Sequence, residues 1–291
     1  MPKEIVCISG KGGTGKSSVV SALAWIAREN LVVADCDVDA ADLHLIFAPE
    51  HLKAEDFYSG VKAVIDPGLC TGCGLCADKC RYQAIFSENN RFKVQTLDCE
   101  GCGYCYHICH AKAISLPEQL VGECYTSTTR YGCSLVHARL GIGADNSGKL
   151  VAKVKNEAKA LALEEARDYI LVDGSPGIGC PVVSSLSGAN VALMVTEPSL
   201  TAHSDLQRLW KLIQKFQIPA ACVINKADIN PQISSSIKEW LRQEGIRHLA
   251  DLDYDMDFQI AITNGKSVTE INHTKWQPVF DQIWEGLKEI Q

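Results

Sequence analysis

A chain of 291 residues, 46% hydrophobic and 22% charged, is long enough for one large core or two smaller ones and has the composition of an ordinary globular protein. Its formal charge of −7, from 28 Lys and Arg against 35 Asp and Glu, argues against a general nucleic-acid binder and against an anionic membrane surface as partner. No apolar run approaches the roughly 20 residues of a membrane span, and the opening MPKEIVCISG lacks the layout of a secretion signal, so a cytoplasmic location is expected.

In chain order, residues 3–8 (KEIVCI) read as a buried strand, the segment from Lys16 to about Arg28 as a helix, and LVVADCD as a second strand ending in acidic residues. Later come DYILVDGSPG, VALMVTEP and AACVINKAD, each an apolar run followed by loop residues, separated by helical stretches near 151–166, 201–216 and 232–244. TKWQPVFDQIWEGLKEIQ reads as a closing amphipathic helix. Strands alternating with helices predict an α/β fold: a doubly wound, mostly parallel sheet with helices on both faces. Between about 60 and 118 the rhythm breaks into cysteine repeats with short strand-like pieces, KAVID and RFKVQTLD. This predicts a small α+β domain at 60–118 inserted into a domain made of 1–59 and 119–291, with the Gly-rich 141–150 as a mobile return loop.

Residues 10–17, GKGGTGKS, fit the pattern G-x-x-x-x-G-K-[ST], between a predicted strand and a predicted helix. Backbone N–H groups of Gly12, Gly13, Thr14 and Gly15 can close around phosphate oxygens, and Ser17 and Ser18 open a helix whose N-terminus favours anions. Lys16 is expected to reach the β- and γ-phosphates of ATP or ADP, and Ser17 to hold Mg²⁺.

Fourteen cysteines in a chain expected in a reducing compartment point to metal or catalysis rather than disulfides. Eight of them form CTGCGLCADKC (Cys70, Cys73, Cys76, Cys80) and CEGCGYCYHIC (Cys99, Cys102, Cys105, Cys109), offset by 29 residues; Ala84-Ile85 recurs as Ala113-Ile114 at the same offset. The spacing C-x2-C-x2-C-x3-C is that of bacterial ferredoxins, where three close cysteines serve one [4Fe–4S] cluster and the fourth serves the other. The expected sets are Cys70, Cys73, Cys76 and Cys109 for one cluster, and Cys99, Cys102, Cys105 and Cys80 for the second. Zinc, which also takes four thiolates, is the alternative. The proline usual after each fourth cysteine is replaced by Arg81 and His110, and His107 and His110 are read as surface residues or neighbours of the ligands. Cys7 and Cys222 read as small buried hydrophobes within strands.

Lys11 makes the loop K-G-G-T-G-K, which resembles the deviant phosphate loop of the MinD/ParA/Mrp/nitrogenase-iron-protein group of ATPases. The resemblance implies that Lys11 reaches across a nucleotide-sandwich dimer, whereas Lys11 taken alone is an exposed loop lysine. DCDVD at 35–39 resembles the family's first switch, with Asp37 as the residue that orients attacking water. Asp39 and Asp42 read as solvated loop carboxylates. DGSPG resembles the second switch, with Asp173 near Mg²⁺ through water. TEPSLTAHSDLQRL and VINKAD are similar to later family segments, and Asn225 would contact adenine. Cys180 follows Asp173 by seven residues, as a cluster cysteine does in the nitrogenase iron protein; its second ligand would have to be Cys133 or Cys124, and a buried thiol at a helix start is the preferred reading.

The whole chain resembles MinD-superfamily ATPases with an inserted 2[4Fe–4S] ferredoxin domain. Three functions follow. The first is a Mg-dependent, slow, partner-stimulated ATP hydrolase whose dimer closure is coupled to electron transfer or to metallocluster maturation or delivery. It implies ATP/ADP, Mg²⁺ and two [4Fe–4S] clusters as cofactors. The implied partners are a second copy or a related ATPase, and a redox or cofactor-assembly protein. The second is a MinD/ParA-like spatial-positioning switch, against which stands a C-terminus with Asp281, Glu285 and Glu289 beside only Lys275 and Lys288. The third is a ferredoxin-type electron carrier with a regulatory nucleotide site.

Overall fold

Short runs of Val, Ile, Leu and Ala supply five adjacent strands of a nine-stranded sheet. From one edge to the other the nine are Arg247–Leu252, Ala220–Asn225, Val191–Thr196, Lys3–Ile8, Tyr169–Asp173, Leu31–Asp35, Ser134–Leu140, Glu118–Thr128 and Glu50–Val61. The first seven pair in parallel. The strands at the far edge, with Ser134–Leu140 and Arg247–Leu252, are absent from the sequence-based reading. Their charged and polar residues (HLKAED, RHLADL) hide the apolar run that marks a buried strand.

The computed structural model describes residues 1–38, 42–89, 91–141 and 147–290. They divide into one unit of Met1–Glu55 with Glu123–Gln291 and a second of Asp56–Gly122. The chain leaves the first unit within the strand Glu50–Val61 and returns within Glu118–Thr128.

In the first unit both faces of the sheet are covered. Ile5 and Cys7 join a core with Val20 and Leu23 of the helix Lys16–Ala27 and with Phe280, Ile283 and Leu287 of the helix His273–Lys288. Val6 and Ile8, on the opposite side of the same strand, are equally inaccessible to water. Helices Leu200–Phe216 and Pro231–Gln243 begin with side-chain caps, Ser199 accepting from the Ala202 amide at 3.2 Å and Asn230 from the Ile233 amide at 3.1 Å. The helix expected at 151–166 runs over Ser147–Glu164, so residues 147–150, read as the end of a mobile loop, form its first turn instead. The rest of that loop, 142–146, lies outside the described residues.

The second unit carries its sequence repeat into its backbone. Two short helices, Leu75–Asp78 and Tyr104–Ile108, start after Gly74 and Gly103, with φ of 78° and 73°. Gln83 and Lys112, 29 residues apart, both take left-handed φ, 53° and 51°. Two antiparallel ribbons, Val64–Ile65 with Ile114–Ser115 and Ile85–Glu88 with Arg91–Val94, complete it. Ala84, Ile85, Ala113 and Ile114 are its buried apolar centre, so the repeated Ala-Ile pair is the core of the repeat.

Candidate functional site

In a parallel sheet the carboxyl ends of the strands share one edge, and loops leaving adjacent strands meet there. Asp35 and Asp173 close adjacent strands in register, and Cys7 lies opposite Asp173 on the other side. The phosphate-type loop and both acidic segments are therefore neighbours by topology. Backbone bonds staple them: Gly174 N–H to Cys7 O at 2.8 Å, Gly177 N–H to Ser9 O at 2.9 Å, and Cys36 N–H to Asp173 O at 2.8 Å. The Ser175 hydroxyl donates to Cys36 O at 2.7 Å.

Lys16 opens the helix Lys16–Ala27, and its buried ammonium is held by Asp173 Oδ1 and, at 3.4 Å, by Asp37 Oδ2. Burial pushes Lys16 toward its neutral form, but Asp173 and Asp37 more than offset this and raise its pKa. Asp35 is wholly buried, and burial together with the Asp173 charge raises its carboxyl well above the usual range. Its Oδ1 accepts from the Asp37 amide at 3.1 Å, while its Oδ2 has no hydrogen-bond partner. The buried Thr14 hydroxyl also has none.

Gly15 has φ +90°, and a Cβ there would stand 2.2 Å from Asn225 Nδ2. That amide donates to Thr14 O at 2.8 Å. Asn225 thus braces the loop directly, and it also lines a cavity of about 300 Å³ with Gly13, Ser18, Lys226, Tyr254 and Phe258. Gly12 and Gly13 are exposed, and Ser17 and Ser18 are half-buried on the opening turn of the helix.

Lys11 is not free. Its ammonium pairs with Glu197 Oε1 at 2.7 Å and lies 3.4 Å from the Ser199 hydroxyl. Glu197 Oε2 takes Lys226 at 3.0 Å, and Lys226 in turn donates to Gly13 O at 3.3 Å. Sequence reasoning missed Glu197 and Lys226. The one available signal was their position just past strand ends that share an edge with the loop.

The second unit gathers the repeat cysteines around two cavities. One, of about 510 Å³, is lined by Cys76, Cys80, Cys99, Cys102 and Cys105. The other, of about 20 Å³, is lined by Cys70, Cys73, Cys76 and Cys109. The Ala113 amide donates to Cys109 Sγ at 3.3 Å. Among the described residues no three His, Cys, Asp or Glu side chains stand close enough to hold a single metal ion.

Of the other cysteines, Cys7 and Cys222 are fully buried as expected, and burial raises both thiols far above their ordinary range. Cys180 does begin a helix, Cys180–Leu186, but it is exposed, not buried: with Gly179 it sits on the turn before the chain re-enters the core at Val182. Cys124 and Cys133 are buried. Asp42 is exposed, and Asp39 lies outside the described residues.

Residues 5–268 match the CobQ/CobB/MinD/ParA nucleotide binding domain. The chain is 33% identical over 290 residues, 99% of its own length and 97% of the relative's, to MJ0578 of Methanocaldococcus jannaschii, an uncharacterized protein. Its fold is similar to the septum site-determining protein MinD of Pyrococcus horikoshii, solved with Mg-ADP, with a TM-score of 0.59, 16% identity, and 99% of this chain and 97% of that one covered. It is equally similar to the cell division ATPase MinD of Pyrococcus furiosus, with a TM-score of 0.59, 18% identity and full coverage of both. Loop, fold and family match agree: the chain belongs to the CobQ/CobB/MinD/ParA family of P-loop nucleotide-binding proteins.

Proposed function

We propose that this protein is a Mg-ATP-driven dimeric switch whose second unit holds two [4Fe–4S] clusters. The nucleotide half rests on the family and on the loop. Lys16 and the loop amides would hold the β- and γ-phosphates, Ser17 the Mg²⁺, and Asp37 and Asp173 would order water at the γ-phosphate. The 300 Å³ cavity beside Gly13 and Ser18 would take the base, with Tyr254 and Phe258 offering aromatic faces. Slow ATP hydrolysis, and closure with a second copy or a related ATPase, follow from this reading.

The iron–sulfur half rests on the doubled C-x2-C-x2-C-x3-C spacing. Two cavities lie among these cysteines, one bordered by Cys70, Cys73, Cys76 and Cys109 and the other by Cys76, Cys80, Cys99, Cys102 and Cys105, so Cys76 borders both. The donor chemistry fits. The residues that would hold the groups are Cys70, Cys73, Cys76 and Cys109 in one cavity and Cys80, Cys99, Cys102 and Cys105 in the other. Bound clusters would supply one-electron exchange. Anaerobic reconstitution with iron and sulfide tests this: about eight irons per chain are expected. Stoichiometric zinc, or no metal retained, would remove the reading.

The comparisons speak only for the nucleotide half. The structurally similar MinD proteins are named for septum-site determination and cell division, not electron transfer, and this gives the spatial-positioning switch more support than the redox role. Against a membrane-bound version, the apolar face of His273–Lys288 is spent in the core, with Trp276, Phe280, Ile283 and Leu287 buried. No described helix is long and apolar enough to cross a membrane. Sedimentation with Mg-ATP against Mg-ADP separates a nucleotide-closed dimer from a monomeric carrier with a regulatory site.

A further inference from the structure

Both lysines of the loop are already engaged by carboxylates. Lys16 faces Asp173 and Asp37, the two acids expected at the γ-phosphate and the metal. Lys11 faces Glu197, which lies outside the loop and outside both switch segments, at the end of the strand Val191–Thr196. Glu197 is mostly shielded from water, and each of its oxygens takes one cation: Oε1 Lys11 at 2.7 Å, Oε2 Lys226 at 3.0 Å. Burial would raise this carboxyl, but the bonds from Lys11 and Lys226 more than offset it and hold it below the usual range, so it is ionised. Its backbone is fixed too. Ser199, two residues on, caps the helix Leu200–Phe216 and offers its hydroxyl to Lys11 at 3.4 Å. Lys226 is tied back to the loop through Gly13 O at 3.3 Å.

A carboxylate with one oxygen on a loop lysine presents to that lysine the same charge and donor demand as a phosphate oxygen. We propose that Glu197 is a positioning residue that occupies Lys11 in the nucleotide-free chain, so that an incoming phosphate must displace its carboxylate to gain this lysine. Lys226 holds Glu197 in place for that role. The inference rests on the reading of residues 10–17 as a nucleotide site.

The test is calorimetric titration of wild type, Glu197→Gln, Lys11→Ala and the double variant with the non-hydrolysable Mg-AMPPNP and with Mg-ADP. The glutamine keeps the shape and removes the charge. The expected result is AMPPNP binding about two- to fivefold tighter in Glu197→Gln, the scale of one partly exposed ion pair, with that gain absent in the Lys11→Ala background. Weaker or unchanged binding in Glu197→Gln, or a gain that persists without Lys11, overturns the proposal and leaves Glu197 as a brace of the loop through Lys226. Failure of wild type to bind either nucleotide would instead overturn the nucleotide-site reading.

Discussion

The ammonium of Lys16 donates to Asp173 Oδ1 with both side chains nearly closed to water. The contact joins the first residue of a helix to the last residue of a strand 157 positions away. It is a structural ion pair in the free chain, and under the proposed function Lys16 would also meet phosphate, so the two roles make different demands.

Removing the lysine should therefore do two things. Lys16→Ala leaves Asp173 buried without its cation beside Asp35 and Asp37, and breaking such a pair costs about 3 kcal/mol. Urea unfolding of the nucleotide-free variant is expected to show that loss, and calorimetry is expected to show no Mg-ADP binding. A variant as stable as wild type would mean that the pair adds nothing to the fold.

Gly15 is constrained by both backbone and space. Gly15→Ala places a Cβ at 2.2 Å from Asn225 Nδ2 on a residue with φ +90°, for an expected loss of about 2 kcal/mol. Adding Asn225→Ala relieves the clash but not the dihedral strain. The double variant is expected to be more stable than the sum of the single losses by at least about 0.5 kcal/mol. Simple additivity in thermal unfolding would refute the close approach.

Glu270 sets an acid limit on stability. Burial alone would raise its carboxyl, but Arg130, bonded to both oxygens at 2.6 Å, and the Tyr131 hydroxyl at 2.5 Å hold it below the ordinary value. A lowered carboxyl stabilises the fold above its unfolded pKa of about 4.3, and the contribution disappears as pH falls through the lower folded value. Glu270→Gln is expected to cost about 1 kcal/mol between pH 5 and 7, discounted for partial solvent screening, with the difference from wild type closing below about pH 4. A difference independent of pH would assign the loss to packing rather than charge.

The crossed cysteine sets predict an asymmetric result. Cys109→Ser should spare the cluster of Cys99, Cys102, Cys105 and Cys80, and Cys80→Ser should spare the other. Each variant is expected to retain about four irons with distinct EPR spectra. Identical spectra, or loss of all iron from both, would contradict the division into two cavities.

What was legible in the sequence followed from short-range rules. The strand–loop–helix around Lys16 could be read because phosphate binding needs glycines, a lysine and a helix start at fixed spacing. The left-handed turns at Gly74 and Gly103 follow the same short-range logic, since glycine takes positive φ without strain. Long-range placement was not legible. Glu197 lies 186 residues from Lys11 in TEPSLTAHSDLQRL, a segment noted only for its family resemblance, and the parallel order of the sheet brings the two together. Lys155, buried against Glu4 at 2.6 Å, also reads from sequence as one more charge on a helix. The exposure of Cys180 depended on where the chain turns after Asp173, which no local pattern specifies.

The most direct test of the account is EPR of anaerobically prepared, dithionite-reduced protein with and without Mg-ATP. The account predicts reduced [4Fe–4S] signals whose shape or midpoint potential changes when nucleotide binds. Absence of any iron–sulfur signal, or signals indifferent to Mg-ATP in protein shown to bind it, would contradict it.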